Sequence, residues 1–486
     1  MNSSQSVDTP LLDPALNVFP EKVHHIHLMG VCGTGMGSLA GMLKASGFKV
    51  TGSDQHVYPP MSDFLAAQGI EVQSGYRPEN LSSGPDLVVV GNVVTRKNPE
   101  ALALAEMGLP YVSFPQMLSH YFLSAKTSLV VAGTHGKTTT SSLLATMLHD
   151  AGLSPSFMIG GLVQAFGSNF HIADGEHFVV EGDEYDTAFF DKGPKFLHYQ
   201  PHIAIITSIE FDHADIYADL EAVKRSFRRL VAIMPPDGCL VACVDDPVVR
   251  EVVADAPCPV LGYGQGDDAY WRLGDLQVSP AGTDFTAHKD GKLLGAFHSV
   301  MPGRHNAMNA LAVIAVLDRL GVGVEDISAG LANFAGVKRR QEVRGVVGGV
   351  TVIDDFAHHP TAVRETVSAL ASAYQGQRLV AVFEPRTNSS RRRVFQDAYV
   401  SAFDHAQEVL IKEPEPLANV AVEERFSCRQ LAEDLARRGV NAHYFPDTDA
   451  VIEYLVAHAR SGDVLAILSN GGFDNIHSRL LADLPA

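Results

Sequence analysis

Short apolar runs that end in glycine or in acidic residues recur along the chain, each followed by a stretch whose apolar positions have helical spacing. Residues 24–29 read as a first strand, the glycine-rich segment 30–37 as a turn, 38–46 as a helix and 48–51 as a second strand that runs into Gly52-Ser53-Asp54. A strand, a glycine turn, a helix and a strand closed by an acid begin a doubly wound nucleotide-binding sheet. The alternation continues through 86–90 and on to Lys126, then restarts with an apolar strand at 128–132. Gly133-Thr134-His135-Gly136-Lys137-Thr138-Thr139 forms the next turn, and 140–150 the next helix. Strands at 178–180 and 203–207 run into acidic segments, and helices are predicted over 306–320 and 327–334. A third restart is the strand 350–355, with later strands at 378–383 and 464–468. The turn-rich stretch 264–290 predicts an antiparallel excursion of the middle unit.

Three restarts predict an α/β chain of three domains, each built on a mainly parallel sheet. The expected units are a Rossmann-like domain over 22–126, a P-loop-type ATPase domain over 127–337 and a second Rossmann-like domain over 338–486. Residues 1–21 lack early Lys or Arg and a long apolar core, so they read as a flexible tail and not as a secretory leader. The length of 486 residues agrees with three domains at roughly 150 residues each. The net charge of −19 disfavours general affinity for nucleic acid or for an anionic membrane, so any phosphate must be held locally. No run approaches the ~18 apolar residues of a membrane helix. Five scattered cysteines without a CxxC pair fit a reducing, cytoplasmic setting.

The segment 133–139 carries the most specific chemistry. Backbone N–H groups at a helix start suit phosphate oxygens, the Lys137 ammonium suits β/γ charge, and the Thr138 hydroxyl suits Mg²⁺. The pattern departs from a full Walker motif, because Val131 stands where its first glycine belongs. Glu181-Gly182-Asp183-Glu184-Tyr185-Asp186 closes a strand; alone it reads as a solvated turn, beside a phosphate loop as a Mg²⁺ site. Asp212-His213-Ala214-Asp215 closes another, with His213 either a metal ligand or a hydrogen-bonded cap. In the first domain, Gly30, Gly33, Thr34, Gly35 and Met36 with Asp54 predict a site for a nucleotide diphosphate, Asp54 facing a ribose hydroxyl; a purely structural turn and a nicotinamide site are the alternatives. Asn306 reads as an N-cap residue, Arg340 as a charge in the basic connector 336–340, and Arg391-Arg392-Arg393 as either a solvated run or one aimed at an interdomain cleft.

Taken in order, Gly133–Thr139, Glu181–Glu184, Asp212–Asp215, His305-Asn306-Ala307-Met308-Asn309 and Asp355-Phe356-Ala357-His358-His359-Pro360 resemble the successive motifs of the Mur ligases of bacterial cell-wall synthesis. The resemblance covers nearly the whole chain. It implies an ATP-dependent amide ligase using Mg²⁺, with Gly133, Thr134, His135, Gly136, Lys137, Thr138 and Thr139 around the phosphates. Asn306 would then meet adenine, and Arg340 and Asp355 the nucleotide. Thr138 and Glu181 would ligate one Mg²⁺ and His213 a second, with Lys137 and His213 as the catalytic pair. Residues 57–62, 185–191, 383–386 and 469–473 look most like the branch that joins UDP-N-acetylmuramate to the murein tripeptide L-alanyl-γ-D-glutamyl-meso-diaminopimelate in recycling. Arg386, Asn388, Asn470 and His477 are the expected peptide contacts, and 336–340 the expected hinge. A sibling that adds free L-alanine, and a non-catalytic nucleotide-gated binding protein, are the competing readings. Two departures stand out: Phe227-Arg228-Arg229 occupies the place where several members have a carbamylated lysine, and Ser208 a place where many have Asn.

Overall fold

The computed structural model describes residues 12–59, 61–417 and 420–485. The first sheet has five strands, all parallel, in the order Glu71–Ser74, Lys49–Asp54, His25–Met29, Leu87–Val90, Tyr111–Ser113. The chain moves outward on one side of His25–Met29 and then returns to its other side, which leaves a crevice at the carboxyl ends of the strands. The helix Thr34–Ala45 begins in that crevice, with Gly33 as its N-cap.

The second sheet has ten strands. Its parallel centre runs Trp271–Ser279, Val260–Gly264, Cys239–Cys243, Ile203–Ile206, Thr127–Ala132, His177–Gly182, Ser156–Val163. Gly282–Lys289 and Lys292–Ser299 extend one edge as antiparallel strands, so the excursion expected over 264–290 reaches Ser299. Thr127–Ala132 is flanked directly by Ile203–Ile206 and His177–Gly182, which brings the three chemistry-bearing strand ends side by side. Helix Lys137–Asp150 starts three residues before its expected position and is buried from Thr138 to Leu148. It packs against helix Arg304–Arg319.

The third sheet has six strands in the order Glu342–Val347, Val350–Asp355, Val464–Leu468, Leu379–Phe383, Glu408–Lys412, Asn441–Phe445, with only the first pair antiparallel. Leu379–Phe383 and Val464–Leu468 are buried throughout, as expected of parallel strands covered on both faces. Among the described residues no helix is long and apolar enough to cross a membrane, and all five cysteines are free.

The expected flexible tail needs correction from Leu12 onward; residues 1–11 lie outside the described residues. Leu12 is buried in the first domain, Phe19 stacks on His120 at 3.8 Å, and Gln116 Nε2 donates to Asn17 Oδ1 at 2.7 Å. Apolar anchors spaced along a polar segment are enough to hold it against a surface, and a window-based hydropathy reading misses them.

A buried polar network sits under the glycine turn. Glu100, in the first turn of helix Pro99–Met107, is fully buried. Its Oε1 accepts from His27 Nε2 and from Ser53 Oγ, each at 2.8 Å, and its Oε2 accepts from Asn80 Nδ2 at 2.7 Å. The Ser53 carbonyl in turn accepts the N–H groups of Gly30 (2.8 Å) and Val31 (3.1 Å), so this one carboxylate fixes the strand end that shapes the turn. Glu100→Ala orphans three buried donors and is expected to destabilise the domain by about 3–5 kcal/mol, the cost of breaking a buried pair. Native-state hydrogen exchange in strand His25–Met29 should then accelerate by roughly a hundredfold or more, and an unchanged rate would refute the assignment.

Candidate active site between the three domains

A cavity of about 2200 Å³ opens between the three sheets, and residues of all three domains line it. At its centre is the turn 133–136. A Cβ on Gly133 would collide with Thr207 Oγ1, and one on Gly136 would lie 2.7 Å from Asn309 Oδ1; both glycines also have positive φ, 130° and 81°. Only glycine fits such positions, and the gain is an exposed row of amides at the start of helix Lys137–Asp150. Ser208 frames the turn: its Oγ accepts the His135 N–H at 3.1 Å and its carbonyl the Thr134 N–H at 2.9 Å.

Lys137 Nζ donates to Glu184 Oε2 at 2.9 Å and to the Gly133 carbonyl at 2.5 Å. Glu184, which the sequence shows only as one acid in a run of several, is the hub of the site. Its side chain is 2% exposed, its Oε1 lies 3.6 Å from His213 Nε2, and its own carbonyl accepts Tyr217 Oη at 2.6 Å. Burial disfavours the His213 imidazolium, but Glu184, Asp212 and Asp183 outweigh it and raise the group to about 8. Burial also opposes ionisation of Asp183, yet Lys195 and Lys137 hold it well below the usual carboxylate range. Lys195 Nζ donates to Asp183 Oδ2 at 2.5 Å and lines the cavity, a residue reached through the hairpin Asp186–Ala188 and Asp191–Pro194 that hydrophobic patterning did not reveal.

Glu181 faces Thr138 on the other side of the loop. Its Oε1 accepts the Gly160 N–H at 2.7 Å, and burial raises its carboxyl above the ordinary value despite Lys137 and Thr138 nearby. Arg340 Nη2 donates to Thr138 Oγ1 at 3.2 Å while its guanidinium lies 4.6 Å above the Phe356 ring. A hydroxyl and a carboxylate whose charge burial destabilises are oxygen donors suited to Mg²⁺, and the Asp183, Glu184 and His213 ligand atoms lie within 4.8 Å of one another. These residues therefore fit a divalent ion beside a polyphosphate.

The remaining expected residues divide clearly. Asn306 lines the cavity, with Nδ2 donating to the Pro302 carbonyl (2.8 Å) and to Gln341 Oε1 (3.2 Å). Asp355 also lines it, accepting the Gln341 and Ala357 N–H groups at 2.8 Å each. Gly30, Gly33, Thr34, Gly35 and Met36 line the far end together with Asp54. Asp54, however, accepts from the Cys32 N–H (2.9 Å) and the His56 N–H (3.0 Å), so it shapes the turn directly.

Of the expected peptide contacts only Asn470 lines this cavity. Arg386 is half exposed outside it and lies across Gly471, where any Cβ would collide with it. Asn388 reaches Asp215 Oδ2 at 3.4 Å. His477 is turned inward, 3.3 Å from buried Asp354, which removes it from peptide contact. The Arg391–Arg393 run is likewise not aimed at the cleft: Arg391 donates to the Glu415 carbonyl (2.7 Å) and Arg393 to that of Glu423 (3.4 Å).

Comparison with known proteins agrees with this layout. Residues 25–125 match the Mur ligase family catalytic domain, 131–317 the Mur ligase middle domain and 339–471 the Mur ligase glutamate ligase domain. The chain is 39% identical over 460 residues to the UDP-N-acetylmuramate–L-alanyl-γ-D-glutamyl-meso-2,6-diaminoheptandioate ligase of Escherichia coli K12, covering 94% of this chain and 98% of that one. It is 36% identical over 471 residues to the UDP-N-acetylmuramate–L-alanine ligase of Variovorax paradoxus S110, covering 94% and 95%. The crystal structure of a murein peptide ligase from Psychrobacter arcticus 273-4 superposes with a TM-score of 0.70 at 35% identity, covering 95% of this chain and 98% of that one. With its three domains matched in order and its identity to these ligases sustained from end to end, the chain belongs to the Mur ligase family of ligases.

Proposed function

We propose that this protein joins UDP-N-acetylmuramate to the tripeptide L-alanyl-γ-D-glutamyl-meso-diaminopimelate at the expense of ATP, as a cytoplasmic enzyme of peptidoglycan recycling. The observation that carries the reading is the placing of Lys137 with Thr138, Glu181 with Asp183, and His213 at three adjacent strand ends, in one cavity lined by all three domains. The end-to-end identity to the Escherichia coli tripeptide ligase supports that acceptor.

In this reading the first domain holds the sugar nucleotide at the 30–36 turn and the central domain holds ATP. Lys137 exchanges Glu184 for phosphate oxygens, and the amides of 133–139 fix the β/γ-phosphates. Two Mg²⁺ ions, one held by Thr138 and Glu181 and a second by His213, would neutralise charge developing on the transferred phosphoryl group. The substrate carboxylate oxygen attacks the γ-phosphorus and ADP leaves, giving an acyl phosphate. The peptide amine then attacks the carbonyl carbon, loses a proton, and inorganic phosphate departs with the C–O bond broken. Asn306, Arg340 and Asp355 hold the nucleotide from the connector side, which keeps the domains together and water away from the acyl phosphate. Asn470 on the cavity wall and Arg386, half exposed beyond it, read the peptide's distal carboxylates in this reading.

Three outcomes are expected. Phosphate release with ATP, Mg²⁺ and UDP-N-acetylmuramate should show a kcat/KM for the tripeptide well above that for free L-alanine; the reverse order would assign the chain to the L-alanine branch. Lys137→Ala should lower kcat by about a hundred- to a thousandfold, the loss typical of one charge-stabilising donor, while calorimetric binding of UDP-N-acetylmuramate is unchanged. Arg386→Ala should raise KM for the tripeptide by roughly tenfold with kcat preserved, as befits one charged hydrogen bond in ground-state binding; equal losses for tripeptide and L-alanine would remove Arg386 from the acceptor site.

A further inference from the structure

A second group of ligand-type side chains gathers at the phosphate loop, made of residues other than Asp183, Glu184 and His213. His135, Glu210 and His359 place one nitrogen or oxygen each within 4.8 Å of one another. They come from three places: His135 from the phosphate loop, Glu210 from the segment after strand Ile203–Ile206, and His359 from the N-cap of helix Pro360–Ala373 in the third domain. Glu210 Oε2 is 3.5 Å from His135 Nε2 and 3.8 Å from His359 Nδ1. Two ligands bound at about 2.0–2.1 Å around a tetrahedral ion stand roughly 3.4 Å apart, so these spacings need only a small contraction.

The surroundings set the donor atoms. His359 Nε2 can only donate to the Phe211 carbonyl at 3.2 Å, which fixes the proton there and leaves Nδ1 as the lone-pair nitrogen facing Glu210. Nδ1 otherwise accepts only a long bond from the Thr361 N–H, at 3.3 Å. Thr361 Oγ1 donates to Glu210 Oε2 at 2.6 Å and orients the carboxylate. A backbone carbonyl behind a histidine and a hydroxyl behind a carboxylate are the outer supports that metal ligands typically have. His135 Nε2 is buried and has no hydrogen-bond partner, an unmet polar atom aimed at the same point.

We propose that His135, Glu210 and His359 form a binding site for a borderline divalent transition ion of the Zn²⁺ class, separate from the Mg²⁺ residues Thr138, Glu181 and His213. Two imidazole nitrogens and one carboxylate oxygen form a donor set that prefers Zn²⁺ over Mg²⁺, which favours an all-oxygen shell. Because two ligands belong to the central domain and one to the third, an ion here ties the phosphate loop to the third domain and favours the closed arrangement.

Zn²⁺ binding to the full chain, measured calorimetrically in excess Mg²⁺, tests this, with Co²⁺ absorption as the probe of a low-coordinate site holding nitrogen. The wild type should bind one Zn²⁺ and develop intense visible Co²⁺ bands. Glu210→Gln and His359→Phe should each weaken Zn²⁺ by about tenfold or more and bleach the bands, while His213→Asn leaves both intact. Metal-free thermal unfolding of each variant separates lost ligation from lost folding, and His359→Gln serves if the Phe variant does not fold. Absence of Zn²⁺ binding in the wild type, or its loss in His213→Asn with retention in His359→Phe, would overturn the proposal.

Discussion

The arrangement of the cleft depends on one buried carboxylate. Glu184 is 2% exposed and lies between Lys137 at 2.9 Å and His213 at 3.6 Å. Removing such a group from water is costly unless partners of opposite charge and hydrogen-bond donors surround it. Those partners sit on different strand ends, and the sheet register supplies them. Ala132 pairs with Gly182 on one side and with Ile206 on the other, so the loops that follow leave the sheet at the same level. The same geometry explains why neighbouring carboxylates coexist. Asp183 is held by Lys195, Glu181 by a backbone amide, and Asp212 by the His213 N–H at 2.6 Å. Each of these carboxylates thus has a cation or a backbone N–H beside it.

The connector extends this order into the third domain. Arg339 and Gln341 have positive φ, 61° and 50°, a conformation that costs non-glycine residues of order 1–3 kcal/mol each. The compensation is visible in hydrogen bonds. Arg339 Nη2 donates to the carbonyls of Ser469 (2.6 Å) and Gly471 (2.7 Å), and the Gln341 N–H donates to Asp355. Between them Arg340 is turned toward Thr138. The connector is therefore a tightly bonded corner whose middle residue is delivered to the phosphate loop.

This contrast marks how far the sequence could be read. Strand, glycine turn and helix are local, so the three sheet starts, the phosphate loop and the acidic strand ends were legible from spacing alone, and strands 350–355 and 464–468 fall where the pattern put them. What spacing does not carry is side-chain direction set by distant partners. His477 turns inward, its Nε2 3.3 Å from buried Asp354, a residue that comes from strand Val350–Asp355. Arg391 and Arg393 are spent on the carbonyls of Glu415 and Glu423. Glu184 and Lys195 were visible as residues but not as a hub and its support, since their partners come from separate strands. The family resemblance supplied Arg340 and Asp355, which composition and periodicity would have left as a linker charge and a strand end.

Asp54 shows how an excess of acid can coexist with binding of anionic substrates. An acid at this position suggests direct contact with a ribose, yet both of its oxygens accept backbone amides, Cys32 on the turn and His56 beyond it. A carboxylate so engaged has its charge delocalised into the loop it organises, and the turn's remaining amides at the start of helix Thr34–Ala45 stay free to face an anion. Glu100 acts similarly at a deeper layer, holding Ser53 so that its carbonyl can receive Gly30 and Val31. In the central domain Glu184 and Asp183 hold Lys137 and Lys195 in the same way. A net charge of −19 is then compatible with phosphate chemistry, because many of the acids nearest the cleft build the surfaces that present amides and cations, and the field a substrate meets is that of the groups they position.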